Sequence, residues 1–162
     1  MISEIFDCEV ETADGTTKNL SAFKGKTILI VNVASKCGLT PQFDQLEELQ
    51  KKYSSKNFTI LAFPSNQFFQ EPKNDTGIAE YCRATWGVTF PVFKKVKVNG
   101  KKSPKLYELL RNVEGADGYS GKIRWNFEKF LITKDGTIHR FPPTAKPNDP
   151  AIVSLIEQSI QS

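Results

Sequence analysis

The segment TILIVNVA, at residues 27–34, decides the fold class of this chain. It is nearly all apolar and rich in β-branched residues. A continuous apolar run of this length is typical of a strand that is buried on both faces, as in a sheet that carries helices on either side. The segment therefore predicts a central strand.

Several helices are predicted after this strand along the chain. Three starts share a capping side chain followed by proline, the residue favoured at the first helical position. The first predicts a helix over residues 41–53, whose apolar side chains recur on one face, and the last predicts a C-terminal helix. A further helix is predicted over residues 76–85. The three starts are Thr40-Pro41, Ser103-Pro104 and Asp149-Pro150.

Turn signals mark the remaining predicted strands. A turn at Ala13-Asp14-Gly15 separates two short strands near the N-terminus, and Lys134-Asp135-Gly136 predicts a hairpin turn near the C-terminus. This order predicts a single α/β domain over residues 1–162, with a central mixed β-sheet flanked by helices as in a thioredoxin-like fold. The other strands are predicted at residues 58–63, 92–98, 127–133 and 137–141.

Composition excludes several classes of protein. Apolar residues make up 39% of the chain, and no run approaches the length of a membrane span. The N-terminus has no signal-peptide pattern, so we expect a cytoplasmic protein. The chain has three cysteines, no C-x-x-C pair and His139 as its one histidine, which disfavours a zinc site. We expect no metal or other cofactor.

The net charge of +4 is a mild positive bias. The densest cluster of basic residues lies at residues 94–105. Two interpretations stay open for these lysines: a solvated surface, or a docking face for an acidic electron donor. Nucleic-acid binding is disfavoured because no base-stacking motif accompanies them. The lysines are Lys94, Lys95, Lys97, Lys101, Lys102 and Lys105.

Cys37 is the main candidate for chemistry. It follows the buried strand and precedes the helix expected after Thr40. A helix N-terminus offers unpaired N–H groups and partial positive charge, which favour a thiolate. The end of the strand also lies where α/β folds form ligand crevices. Cys37 could instead be a small buried apolar residue. In the C-x-x-T arrangement with Thr40 it has no neighbouring thiol, so any partner thiol lies elsewhere in the chain.

Four motifs in order along the chain resemble those of the glutathione peroxidase family. The resemblance covers essentially the whole sequence and implies a peroxidase with a thioredoxin-like fold. It places the family's nucleophile at Cys37, in its cysteine rather than selenocysteine form, with Gln70, Trp125 and Asn126 completing the catalytic tetrad. The motifs are NVASKCGLT at 32–40, FPSNQFFQEP at 63–72, GVTFP at 87–91 and RWNFEKF at 124–130.

The resemblance also implies how the enzyme is recycled. Cys82 matches the resolving cysteine of two-cysteine members, which form an internal disulfide that thioredoxin reduces. Ser65 stands where the second motif normally has a cysteine. Phe69 replaces a glycine-containing pair, which leaves Gln67 as the alternative to Gln70. Cys8, in the first predicted strand, is interpreted as structural.

Partners and alternatives follow from the same resemblance. The short segment between Ser103 and Arg124 matches monomeric members with an open site, which would admit hydrogen peroxide and lipid hydroperoxides. Glutathione remains the alternative reductant to thioredoxin. A peroxide sensor that relays oxidation is a further hypothesis, since it needs the same two cysteines. A catalytically silent binding module is disfavoured, because the whole tetrad is present.

Overall fold

The structure of the protein is a computed structural model, and it describes residues 2–162. Two short 3₁₀ turns, Leu20–Phe23 and Ser54–Lys56, supplement the regular elements. In chain order these are α1 (Ile2–Phe6), β1 (Glu9–Glu11), β2 (Thr17–Asn19), β3 (Thr27–Val33), α2 (Gln42–Tyr53), β4 (Phe58–Pro64), α3 (Asp75–Trp86), α4 (Lys105–Leu110), β5 (Lys129–Ile132), β6 (Ile138–Phe141) and α5 (Pro150–Ile160).

A four-stranded mixed sheet forms the centre, with strand order β4-β3-β5-β6. β3 pairs in parallel with β4 and antiparallel with β5, and β5 and β6 form the hairpin expected at Lys134-Asp135-Gly136. Every residue of β3 is buried. The central strand predicted from TILIVNVA is thus confirmed, as is the mixed sheet of a thioredoxin-like fold.

Two apolar layers cover the two faces of this sheet. Alternate residues of a strand point to opposite faces, so Leu29 and Val31 join one layer while Ile28 and Ile30 join the other. The first layer, which we call the α2 face, takes in buried residues of α2, α3 and α5. The second, the α4 face, takes in those of α1, β1 and α4.

The strand predicted at residues 92–98 is wrong. Only isolated bridges form there, from Val92 to Ala62 and from Phe93 to Thr12. The Phe93 N–H donates to the Ala62 carbonyl and the Val96 N–H to the Pro64 carbonyl. Between these two hydrogen bonds the segment advances by three residues, whereas β4 advances by two. A regular ladder cannot form with this mismatch, and Pro64 has no N–H to extend it.

Two of the three predicted helix caps are also wrong. Of these three, only Asp149 caps its helix: its side chain, just before Pro150, accepts a hydrogen bond from the Ala151 N–H. The Ser103 hydroxyl instead donates to the Gly100 carbonyl, and α4 begins without a side-chain cap. Thr40 lies before α2 but binds the loop that precedes it.

Within residues 2–162, no helix has both the length and the apolar character that crossing a membrane requires.

Candidate active site

Cys37 lies in a tight loop between β3 and α2, and its side chain is buried with 7% exposure. Its N–H donates to the Thr40 Oγ1 at 3.0 Å, and that hydroxyl donates to the Ala34 carbonyl at 2.8 Å. The Leu39 N–H donates to the Cys37 Sγ at 3.3 Å. Because α2 begins only at Gln42, the donor at the sulfur is a backbone N–H of the loop rather than the first turn of the helix.

A buried carboxylate connects this loop to the segment that holds Gln70. Glu71 is 1% exposed and accepts hydrogen bonds from the N–H and the hydroxyl of Ser35, each at 2.7 Å. Beside it, the Lys36 N–H donates to the Gln70 carbonyl at 3.0 Å. The sequence analysis gave Glu71 no role. The only signal for one was its position within the FPSNQFFQEP motif.

Of the two candidate glutamines, Gln70 is the one that contacts another residue predicted for the tetrad. Asn126 Nδ2 donates to Gln70 Oε1 at 3.1 Å. Gln67 faces a different loop, where its amide donates to the Asn99 carbonyl and accepts from the Asn99 N–H, at 2.8 and 2.7 Å. Since Asn126 occupies the amide oxygen of Gln70, the Nε2 group remains available to donate.

Trp125 forms part of the exposed edge of this site. Its side chain is 37% exposed, and its ring packs against Phe68 with centroids 5.0 Å apart. Asn32 of β3 positions the turn at Trp125 and Asn126. Its side-chain Nδ2 donates to the Trp125 carbonyl at 3.1 Å, and its backbone carbonyl accepts from the Phe127 N–H at 2.6 Å. Asn32, a polar residue within a mostly apolar strand, is a positioning residue to which the sequence analysis gave no role.

Cys82 is a buried thiol of α3, with 1% exposure. Burial raises its pKa to about 12, and the charge of Glu71 acts in the same direction. Cys37 and Cys82 belong to the same apolar layer, on the α2 face, and both are free thiols. For exchange with a sulfur, Cys82 has to leave this environment, because a protonated thiol is a poor nucleophile.

Cys8 is remote from both. It lies one residue before β1 rather than within the first strand, and its side chain packs on the α4 face. Its Sγ donates to the Glu4 carbonyl at 3.3 Å, and burial raises its pKa.

The structure therefore brings together the loops of Cys37, Gln70, Trp125 and Asn126, through contacts of their backbones and of Gln70 with Asn126. Among residues 2–162, no hydrogen bond joins the Cys37 sulfur directly to Gln70, Trp125 or Asn126. The same part of the chain holds no group of three or more histidine, cysteine or acidic side chains arranged to bind a metal ion. The arrangement suits chemistry at a thiol next to amide and indole donors.

This sheet, with the buried thiol of Cys37 in the loop after its central strand, defines a protein of thioredoxin-like fold. The family model for glutathione peroxidase matches residues 5–111. Glutathione peroxidase-like peroxiredoxin 2 from Saccharomyces cerevisiae is 46% identical, over 100% of this chain and 98% of its own. The thioredoxin/glutathione peroxidase BtuE from Escherichia coli is 43% identical over 99% of each.

A solved structure agrees with these relatives. The crystal structure of Trgpx in apo form superposes with a TM-score of 0.77 at 35% identity, covering 98% of this chain and 96% of that one. The chain belongs to the glutathione peroxidase family, and it is a peroxidase.

Proposed function

We propose that this protein reduces hydrogen peroxide and organic hydroperoxides, including lipid hydroperoxides, with Cys37 as the nucleophile. The observation that carries the assignment is the hydrogen bond between Asn126 and Gln70, in a loop tied to the Cys37 loop by Lys36 and Glu71. It joins three of the sequence motifs at one end of β3.

In the first step, the Cys37 thiolate attacks one peroxide oxygen and the O–O bond breaks. The sulfur becomes a sulfenic acid, and the other oxygen leaves as water or an alcohol after taking up a proton. Gln70, Trp125 and Asn126 are suited to assist, because amide and indole N–H groups stabilise developing negative charge without adding any. A carboxylate in their place would disfavour the thiolate.

In the second step, the Cys82 sulfur attacks the sulfenic acid, which forms an internal disulfide and releases water. A disulfide requires Cα atoms roughly 4.4–6.8 Å apart. Because Cys82 is buried within α3 with a raised pKa, local unwinding of this helix has to precede the step.

Thioredoxin is the proposed reductant of that disulfide, with the protein acting as a monomer. The Escherichia coli relative carries thioredoxin in its name, and the chain has a second cysteine on the Cys37 side of the sheet. Steady-state consumption of hydrogen peroxide tests this assignment, with thioredoxin and its reductase compared against glutathione and glutathione reductase. We expect faster turnover with thioredoxin. Equal or faster turnover with glutathione would contradict it.

The role of Cys82 has its own test. Cys82→Ser should lose turnover supported by thioredoxin, while Cys37 still consumes one equivalent of peroxide. Cys8→Ser is the matched control, because it removes a buried thiol from the opposite face of the sheet. Full turnover by the Cys82 variant would show that another thiol resolves the sulfenic acid.

A further inference from the structure

A lysine-lined cleft opens on the α4 face of the sheet, away from the reactive sulfur. Its volume is about 400 Å³, and Val10 and Phe63 contribute apolar lining. Four lysines line it as well, all from the basic segment at residues 94–105: Lys94, Lys95, Lys97 and Lys102. We call it the basic cleft.

The basic cleft borders the active-site loop. On the other side of Lys95 and Lys97, a second cleft of about 320 Å³ is lined by these residues together with Asn66 and Gln67. Gln67 immediately precedes Phe68, which packs against Trp125. A molecule that lies along the lysine segment would therefore reach the loop that carries Gln70.

Part of the positive charge in the basic cleft is uncommitted. Lys94 pairs with Glu11 at 3.3 Å, and the Lys95 ammonium donates to the Glu71 carbonyl at 3.2 Å. Lys97 and Lys102 are exposed and form no ion pair with any residue in the described range 2–162. These two cations are available to a negatively charged partner.

The lining of the cleft favours a folded protein as this partner. Glu9 and Glu11 lie among the lysines, so the surface carries both signs of charge. The two carboxylates would repel a uniformly anionic membrane. Within residues 2–162, the exposed large apolar side chains are Phe69 and Trp125, and neither lines the cleft.

We propose that the basic cleft docks the protein that reduces the enzyme, with acidic side chains of that protein placed against Lys97 and Lys102. The inference rests on the proposed function, since it assigns a docking surface to the thioredoxin step. Docking serves an exchange in which a thiolate of the reductant attacks the Cys37–Cys82 disulfide, displaces one cysteine and forms a mixed disulfide with the other. The second thiol of the reductant then attacks the mixed disulfide and releases the remaining cysteine. The reductant leaves as a disulfide, so two electrons pass to the enzyme.

The double charge reversal Lys97→Glu with Lys102→Glu tests the proposal. Because both side chains are exposed, the variant should fold normally. Stopped-flow measurement of the oxidised enzyme with reduced thioredoxin should give a rate constant roughly ten-fold lower at low ionic strength, since charge steering changes association rates by this order or more. The difference should shrink at about 0.5 M salt. Reduction by dithiothreitol and oxidation by hydrogen peroxide should not change.

The matched control is Lys51→Glu with Lys56→Glu, which alters net charge equally at exposed positions in α2 and the turn after it. An equal loss in this control, or no loss in the test variant, would overturn the docking surface while leaving the thioredoxin step intact. Unchanged reduction by thioredoxin together with weaker binding to phosphatidylserine vesicles would reassign the cleft to a membrane and also overturn it. If thioredoxin fails to reduce the wild-type enzyme, the proposed reductant falls, and the docking surface falls with it.

Discussion

At the scale of single residues, the position of Gln70 depends on one unusual backbone conformation. Phe69 adopts a left-handed conformation with φ of 58°, which normally favours glycine. Its N–H still closes a turn by donating to the Asn66 carbonyl. Counting along the motif left Gln67 and Gln70 as alternatives, because a missing residue shifts the alignment. The conformation of Phe69 lets the shorter loop complete its turn and bring Gln70 to Asn126.

Replacing Gln70 tests which glutamine assists the peroxide step. Gln70→Ala should lower the rate constant for hydrogen peroxide by about 10²–10³-fold, the loss typical of removing one donor to a developing anion. Stopped-flow tryptophan fluorescence of the reduced enzyme gives this rate constant.

Gln67→Ala is the control for this prediction. It should keep the peroxide rate within a few-fold and instead lower the free energy of unfolding by about 1–3 kcal/mol, because it leaves both backbone groups of Asn99 without their partners. A larger rate loss in the Gln67 variant would reverse the assignment.

At the scale of elements, sequence rules succeeded where local chemistry decides the outcome. Asp149 has no competing partner, so it caps α5 as its position before Pro150 predicts. Thr40 has the same sequence signature, but the Ala34 carbonyl and the Cys37 N–H occupy its hydroxyl. Such tertiary partners are invisible to a cap motif. The strand predicted at residues 92–98 also failed for a tertiary reason, because the neighbouring strand ends in a proline.

If Cys82 reacts only after local unwinding, as the proposed function requires, the stability of α3 should control formation of the internal disulfide. The Asn74 side chain caps α3 by accepting from the Gly77 N–H at 2.8 Å. Asn74→Ala removes about 1 kcal/mol of helix stability, so the disulfide should form about five-fold faster. Quenching at timed intervals, with free thiols counted by mass spectrometry, gives the rate.

A substitution of opposite sign provides the control. Thr85 is exposed near the end of α3, and Thr85→Ala raises helix propensity by roughly 0.6 kcal/mol. It should slow the disulfide about two- to three-fold. Oxidation of Cys37 by peroxide should stay unchanged in both variants. Equal rates of disulfide formation in the two variants would mean that unwinding of α3 does not limit this step.

At the scale of the whole molecule, the sheet buries charged groups where the motif RWNFEKF enters β5. Glu128 and Arg140 form a fully buried ion pair, with Arg140 Nε 2.7 Å from Glu128 Oε2. Four backbone carbonyls accept from the remaining guanidinium groups. The sequence did not indicate this burial, because charged residues usually signal a solvated face. Breaking such a pair leaves a buried charge unpaired, whereas the intact pair satisfies both partners.

Lys129 is the other buried cation of this region, and it makes the stability of the molecule depend on pH. Its ammonium donates to the carbonyls of Phe127 and Pro143, at 2.6 and 3.1 Å. Burial lowers its pKa to about 7, although the charge of Glu128 opposes the shift. A neutral amine still has two N–H groups for these two carbonyls.

Between pH 7 and about 10.4, the ordinary pKa of lysine, the unfolded chain holds a proton on Lys129 that the folded protein does not. The free energy of unfolding therefore rises with pH through this window, by at most about 1.4 kcal/mol per pH unit from this group. Below pH 7 both states are protonated and the slope vanishes.

Urea denaturation at pH 6.5, 8 and 9.5 should show this rise in the free energy of unfolding of the wild type, and the rise should be lost in Lys129→Met. Because all other ionisable side chains are common to both proteins, their contribution cancels in the difference. Lys56→Met, at an exposed position, should follow the wild type, and parallel curves for Lys129→Met and the wild type would mean that Lys129 stays charged in the folded protein.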